Sequence, residues 1–303
     1  MKRLHLLVGG LAHGPWPDRP HLARLIARGR PADAGACTGT SAALAALFGI
    51  ESRDLPAIML AAEGGDAGSE AWFCADPVHL LAGMHSLSLL DSRQFQLPAD
   101  EAAALVAALN RHFGDEMEFR APHPTRWYAR FRQTPKVAIP PLDQVAGSAI
   151  TPEQIAGPDA REVQRISMEI QMLLHGHPVN ESRDERHEAT INSVWFWGGG
   201  GGRRAVANFD QVMADGFTAQ ALARAAGRPA MPLPDTLQPG RLPDGYTLAV
   251  LERPVPGQDA AWFEPVLRAL QRGQLDAVEL TLTGEPALRR VVGRWQARRF
   301  WRG

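Results

Sequence analysis

The sequence predicts an α/β protein with a mostly parallel sheet flanked by helices, with room for a smaller inserted lobe. Three observations carry this expectation. Short apolar runs alternate with amphipathic helical stretches along the chain. Several of those runs end in glycine, as at Leu4–Val8 before Gly9-Gly10. The helical stretches carry their own start and stop residues, such as Asp100 and Gly114 around 100–113.

Taken in order, Leu4–Val8 reads as a buried strand and 21–28 as a helix. Thr40 and Ser41 precede a helical stretch, 42–48, that Gly49 stops. Short strands are predicted at 72–75 and 87–90. In the first, WFCADPVHL, Asp76 and His79 are either metal ligands or a strand end, with Asp76 capping a turn that Pro77 starts. Leu105, Leu109 and Phe113 share one face of the 100–113 helix. Strands follow at 117–120 and 126–131. The Pro- and Gly-rich stretch 132–158 reads as a joint between two lobes of one domain covering 1–303. A second clear helix spans 159–174, with Val163, Ile166 and Ile170 inward. A polar loop is expected at 175–188, then a central strand at 191–197 with apolar residues on both faces. A helix at 218–226, a strand at 246–251, a helix at 260–272 and a strand at 277–282 complete the pattern. The tail LRRVVGRWQARRFWRG reads as a helix.

The chain has 303 residues and a formal charge of −1, so no global charge points to nucleic acid or a membrane. Cys37 and Cys74 lie in apolar surroundings that suit buried thiols in a reducing compartment. No apolar run reaches membrane-spanning length, and the first residues lack a signal-like core. A cytoplasmic location is expected.

Four groups could carry chemistry. Gly198–Gly202 with Arg203 and Arg204 follow a strand, where an α/β sheet keeps its ligand. Bare backbone N–H groups and two guanidiniums suit an anion such as phosphate. The competing reading is a flexible or close-approach turn. His175, His177, Asn180 and Arg183 lie in the polar loop. Histidines two apart can share a metal, Arg183 and His177 can hold an anion, or Asn and Arg can organise backbone. In TGTS, 38–41, the hydroxyls are helix caps or, with Thr40, a nucleophile in the positive field of a helix end. The C-terminal arginines with Trp295, Phe300 and Trp301 fit a docked terminal helix better than nucleic-acid binding. They also offer a surface for a protein partner.

The stretch HGHPVNESRDERHEATINSVWFWGGG resembles a segment of the archaeal-type, cofactor-independent phosphoglycerate mutases, members of the alkaline phosphatase superfamily. His177, Pro178, Asn180, Arg183, Asn192 and the glycines Gly198, Gly199 and Gly200 match its order, and GTSAALAALFG resembles the nucleophile region with Thr40 at the hydroxyl position. Over most of its length the chain is also similar to proteobacterial RpfE-type regulatory proteins, which share the segment Trp72 to Leu80 and the terminal Phe300 to Arg302. The resemblance implies two divalent metals, such as Mn or Zn, and phosphoryl transfer. The sequence departs from that pattern where the chemistry needs it. Gly9 stands where the mutases carry a metal-binding Asp, and no Asp-His pair follows the strand 277–282. The expectation is a degenerate, non-catalytic binding or regulatory protein that holds a phosphorylated small molecule or other anion, with no resident metal or cofactor. The alternative is an active metal-dependent mutase or phosphotransferase, with His13, Asp18, His21, His175 or His177 in an unorthodox ligand set.

Overall fold

The structure, a computed structural model, describes residues 1–14, 16–35, 37–83 and 87–298. The chain forms two compact units of nearly equal length: 1–50 with 204–303, and 51–203. The insertion is therefore as long as its host rather than a smaller lobe, and the expected joint near 132–158 lies inside it.

Residues 1–50 carry β1 (Lys2–Val8), α1 (Pro20–Arg28), β2 (Arg30–Ala32) and α2 (Thr40–Leu47). The middle segment carries α3 (Leu55–Ala62), β3 (Ala71–Ala82), β4 (Leu87–Leu90), α4 (Ala99–Phe113), β5 (Met117–His123) and β6 (Arg126–Phe131). It continues with α5 (Leu142–Val145), β7 (Ala149–Ile150), α6 (Ala160–His175), α7 (Pro178–Glu185) and β8 (Ser193–Gly201). The last segment carries β9 (Gln211–Met213), α8 (Phe217–Ala225), β10 (Ala230–Met231), β11 (Gly245–Leu251), α9 (Glu264–Arg272), β12 (Ala277–Leu282), β13 (Leu288–Gly293) and α10 (Arg294–Ala297).

In the first unit seven strands run in the order β10-β9-β11-β1-β12-β13-β2. The first five are mutually parallel, and β13 and β2 close one side antiparallel. β1 sits in the middle because Leu4, Leu6, Leu7 and Val8 are apolar on both faces and fully buried. Leu22 and Leu25 of α1 and Val266, Leu267 and Leu270 of α9 pack with this sheet in one core. Trp262 and Phe263 of the π-helical turn at 259–263 join them.

The second unit is built differently. Its strands pair antiparallel, β5-β6-β3-β4-β7 with β8 along β3. Its core joins Phe73, Trp127, Val194 and Phe196 of the sheet to Leu105, Leu109 and Phe113 of α4 and Ile166 and Ile170 of α6. The expected mostly parallel sheet thus accounts for one unit only.

Several expected elements change. β3 runs straight through Asp76, Pro77 and His79, so Asp76 caps no helix. Pro77 lies opposite Val194, one position from the end of the β3–β8 pairing, and between the stretches of β3 that pair with β6 and with β4. The polar stretch 175–188 contains a helix, α7. Its first turn is set by His177 as N-cap and Pro178 at the first helical position. The glycines Gly198 to Gly201 are not a loop but the end of β8. Residues 288–293 form a strand rather than the start of a terminal helix. Arg299 and Phe300 to Arg302 lie outside the described residues.

Candidate functional site

In a parallel sheet the space beyond the strands' carboxyl ends is where ligands are held. In the first unit Val8 is level with Leu251 of β11 and Leu282 of β12, so the residues that follow these strands meet. Gly9 N–H donates to Leu251 O at 2.8 Å, and Thr283 N–H donates to Val8 O at 2.9 Å. Gly10 N–H donates to the hydroxyl of Thr283 at 3.0 Å.

Thr40 arrives at the same edge. It is the first residue of α2, with Gly39 in the capping position and no side-chain cap. The capping role expected for Thr40 is therefore not the one it takes. The first N–H groups of a helix have no partner within it, and they favour negative charge nearby. Thr40 Oγ1 lies against Gly9: a Cβ built on Gly9 would stand 2.9 Å from it and would overlap the carbonyl oxygen of Glu252. No side chain fits at Gly9 without moving backbone. The Glu252 carboxylate fills the corresponding space over Gly216, which caps α8.

A cavity of about 450 Å³ adjoins this edge, lined in part by Thr38, Gly284, Glu285, Arg289 and Arg290. Arg289 is bonded to Glu279 at 2.7 Å, while its buried Nε has no partner among the described residues. On α1, His21 Nδ1 lies 2.6 Å from Asp259 Oδ2, and Asp259 also accepts from the N–H groups of His21 and Leu22. Asp259 thus caps α1 from the π-helical turn. The sequence reading missed Glu252, Thr283 and Asp259. The first two directly follow strands it placed well, which was the available signal. His5 was missed as well: a fully buried histidine in an apolar strand, with Nε2 2.9 Å from Thr281 Oγ1 and Nδ1 3.2 Å from Tyr246 Oη. Burial above all, with Arg289 and Arg3, lowers its pKa to about 4, against a smaller upward pull from Glu279.

The candidates of the polar stretch and the glycine run belong to the second unit, except Arg204, which is exposed in the first, as are His13 and Asp18. His177 Nδ1 accepts from Val179 N–H at 3.2 Å, capping α7, and burial and Arg111 lower its pKa. Asn180 bonds the Leu174 carbonyl and both backbone groups of Ile191. Arg183 is 1% exposed. Its nitrogens reach Ala189 O at 2.8 Å, Gln96 O at 2.9 Å and Glu101 Oε2 at 2.6 Å. Asn192 bridges both backbone groups of Leu80. Together they fasten α7 and the chain before β8.

The glycines serve close packing. Trp72 pairs with Gly200 and Phe73 with Gly198, so Gly199 is the extra residue of a β-bulge. Gly198 and Gly199 have φ of 104° and 87°, and a Cβ on them would overlap Pro56 and the Phe73 ring. Arg203 is exposed, 3.5 Å from Glu51 and 3.9 Å from Asp54. The glycine loop expected to form an anion nest is here the end of a paired strand, whose glycines make close approaches.

Among the described residues no group of three or more His, Cys, Asp or Glu is placed to hold a metal ion. The donor set does not fit the two-metal centre that the resemblance implies. Asp76 is instead bonded to the indole N–H of Trp197 at 2.6 Å. His79 faces Thr190 through Nδ1, 2.7 Å from its carbonyl oxygen. Cys37 and Cys74 are free and buried, as expected. Among the described tail residues, Trp295 is 80% exposed rather than docked. Arg294 pairs with Asp276, and Arg298 donates to Gln271 O at 3.0 Å. Among the described residues no helix is long and apolar enough to cross a membrane.

Compared by sequence, the chain matches no family model and no curated protein. Compared by structure, it is similar to the PH0037 protein from Pyrococcus horikoshii, at 13% identity and a TM-score of 0.48, over 96% of this chain and 87% of that one. It is also similar to the cofactor-independent phosphoglycerate mutase from Thermoplasma acidophilum, at 16% identity and a TM-score of 0.42, over 97% and 90%. Scores below one half leave the function of this chain to its own residues.

Proposed function

We propose that this chain is a degenerate relative of the cofactor-independent phosphoglycerate mutases. It binds a phosphorylated metabolite or other anion in the cytoplasm without transforming it, and acts as a regulatory protein of the RpfE type. The observation that carries this reading is the contact between Gly9 and Thr40. The resemblance puts a metal-binding Asp at position 9, and the space for any side chain there is taken by Thr40 Oγ1 and the Glu252 carbonyl. Without a cation beside it, the Thr40 hydroxyl has no strong means of losing its proton or of neutralising a phosphoryl group. What remains is a hydroxyl at a helix N-terminus, next to a cavity lined by Thr38, Arg289 and Arg290. These groups suit holding an anion. The exposed Trp295 is the described part of the C-terminal surface through which a protein partner would be engaged.

The test is calorimetric titration of the full chain with 3-phosphoglycerate and with inorganic phosphate. Binding is expected to weaken about tenfold in Arg290→Gln and severalfold in Thr40→Val. A parallel mutase and phosphatase assay is run with added Mn²⁺ and Zn²⁺. Turnover that Thr40→Val abolishes would overturn the reading in favour of a metal-dependent enzyme. No binding of either anion would remove it altogether.

A further inference from the structure

The second unit holds a cavity of about 400 Å³ between α6, the start of β8 and the chain around Ile150. This volume lies in the range of small-molecule sites. Its walls are strongly apolar, with Leu80, Ile139, Val163, Val194 and Phe196 among them. None of the described residues lining it is charged. An ionic ligand would lose its hydration there without a compensating partner, so the site selects against charge.

The polar groups on the wall are almost all engaged within the protein. Ser167 Oγ donates to Val163 O at 2.9 Å, Gln164 Nε2 to Pro152 O at 3.0 Å and Trp195 Nε1 to Pro140 O at 2.9 Å. Ser193, unlike these, has no such bond among the described residues. It is 2% exposed, and the one acceptor its hydroxyl reaches among the described residues is Val194 O at 3.5 Å, the outer limit for such a bond. A buried hydroxyl without a good partner is costly, and an acceptor on a bound molecule would relieve that cost.

We propose that this cavity is a binding site for an uncharged, largely apolar small molecule with one hydrogen-bond acceptor, which the Ser193 hydroxyl engages. The inference is independent of the anion site in the first unit: the two differ in unit, in ligand charge and in residues.

The test uses the full chain and the uncharged fluorophore N-phenyl-1-naphthylamine. Saturable enhancement at one equivalent is expected. Ser167→Trp and Gln171→Trp fill the cavity from α6 and should each weaken binding at least tenfold. Arg161→Trp, on the exposed side of α6 and away from the cavity, should leave it unchanged. Melting curves establish that each variant is folded. Competition by 1-acetylnaphthalene should exceed that by naphthalene about fivefold, the scale of one hydrogen bond, and Ser193→Ala should remove the difference. The proposal is overturned by a lack of saturable binding, or by binding that both filling variants leave intact. It is overturned equally if Ser193→Ala keeps the preference for the ketone. The same holds if light scattering shows a dimer that takes up the fluorophore only on dissociation, since a second copy would then be the occupant.

Discussion

The ring of Phe73 occupies the space where a side chain at Gly199 would begin. With φ of 87° at the bulge, Gly199 is also held in backbone that other residues adopt only with strain. Gly199→Ala should therefore cost about 2–4 kcal/mol, the sum of overpacking and conformational strain. Gly202→Ala is the comparison, because a Cβ there would meet nothing closer than Ala57 at 3.6 Å. Urea unfolding of both variants checks the pair. Equal and small losses would mean that the glycines are kept for a ligand rather than for packing.

Arg183 and Glu101 form an ion pair at 2.6 Å with the guanidinium fully buried. Arg183→Leu would leave the Glu101 carboxylate and the carbonyls of Ala189 and Gln96 without this partner. A loss of about 3–5 kcal/mol in stability is expected. A variant of unchanged melting temperature that has lost anion binding would instead place Arg183 in a ligand site.

His5 gives the first unit a pH dependence of definite sign. Its folded pKa, about 4, lies below the ordinary value of 6.5, so the unfolded chain binds the proton more readily. The contribution is fully present above pH 6.5 and is lost as pH falls through 4. Its upper size is on the order of 3 kcal/mol. Unfolding measured from pH 8 to pH 4 should show this slope, and His5→Gln should flatten it.

Asp76 acts in the opposite direction in the second unit. Burial raises its pKa to about 7 from 3.8. The Trp197 hydrogen bond and Arg126 oppose the rise, and Asp91 and Asp143 add to it. The folded state holds the proton more tightly than the unfolded chain. Stability from this group is thus present below pH 3.8 and is lost as pH rises through 7. Asp76→Asn should be more stable than the parent at pH 8 and gain little at pH 4. A carboxylate infrared band at Asp76 fully ionised at pH 5 would contradict this.

Much of the parallel unit was legible because its strands are continuous apolar runs, as in LHLLV at 4–8, and no partner is needed to recognise them. The sequence also placed Thr40 at a helix start. What it hid were features decided by distant neighbours. Five glycines in a row read as a loop from local preference, and it is Pro56, the Phe73 ring, Asp54 and the Arg53 backbone that explain why the strand there lacks side chains. α7 escaped because its buried face consists of Asn180 and Arg183, polar residues that show no apolar period. Arg289 and Arg290 made a strand look like a basic helix, while in the fold Arg289 is neutralised across β12 by Glu279. Glu252 and Thr283 gave no motif because their approach to Gly9 and Gly10 depends on the register of β1 with strands far along the chain.

The central place of β1 has a consequence for synthesis. This strand leaves the ribosome well before its two neighbours, which start at Gly245 and Ala277. At 5–20 residues per second, it waits roughly 10 to 50 s with both edges unpaired. The middle unit, 51–203, is continuous in the chain and is translated in full before either neighbour emerges. The nascent chain therefore carries an unpaired, strongly apolar strand throughout that interval, when a chaperone or a mispairing strand has access to it.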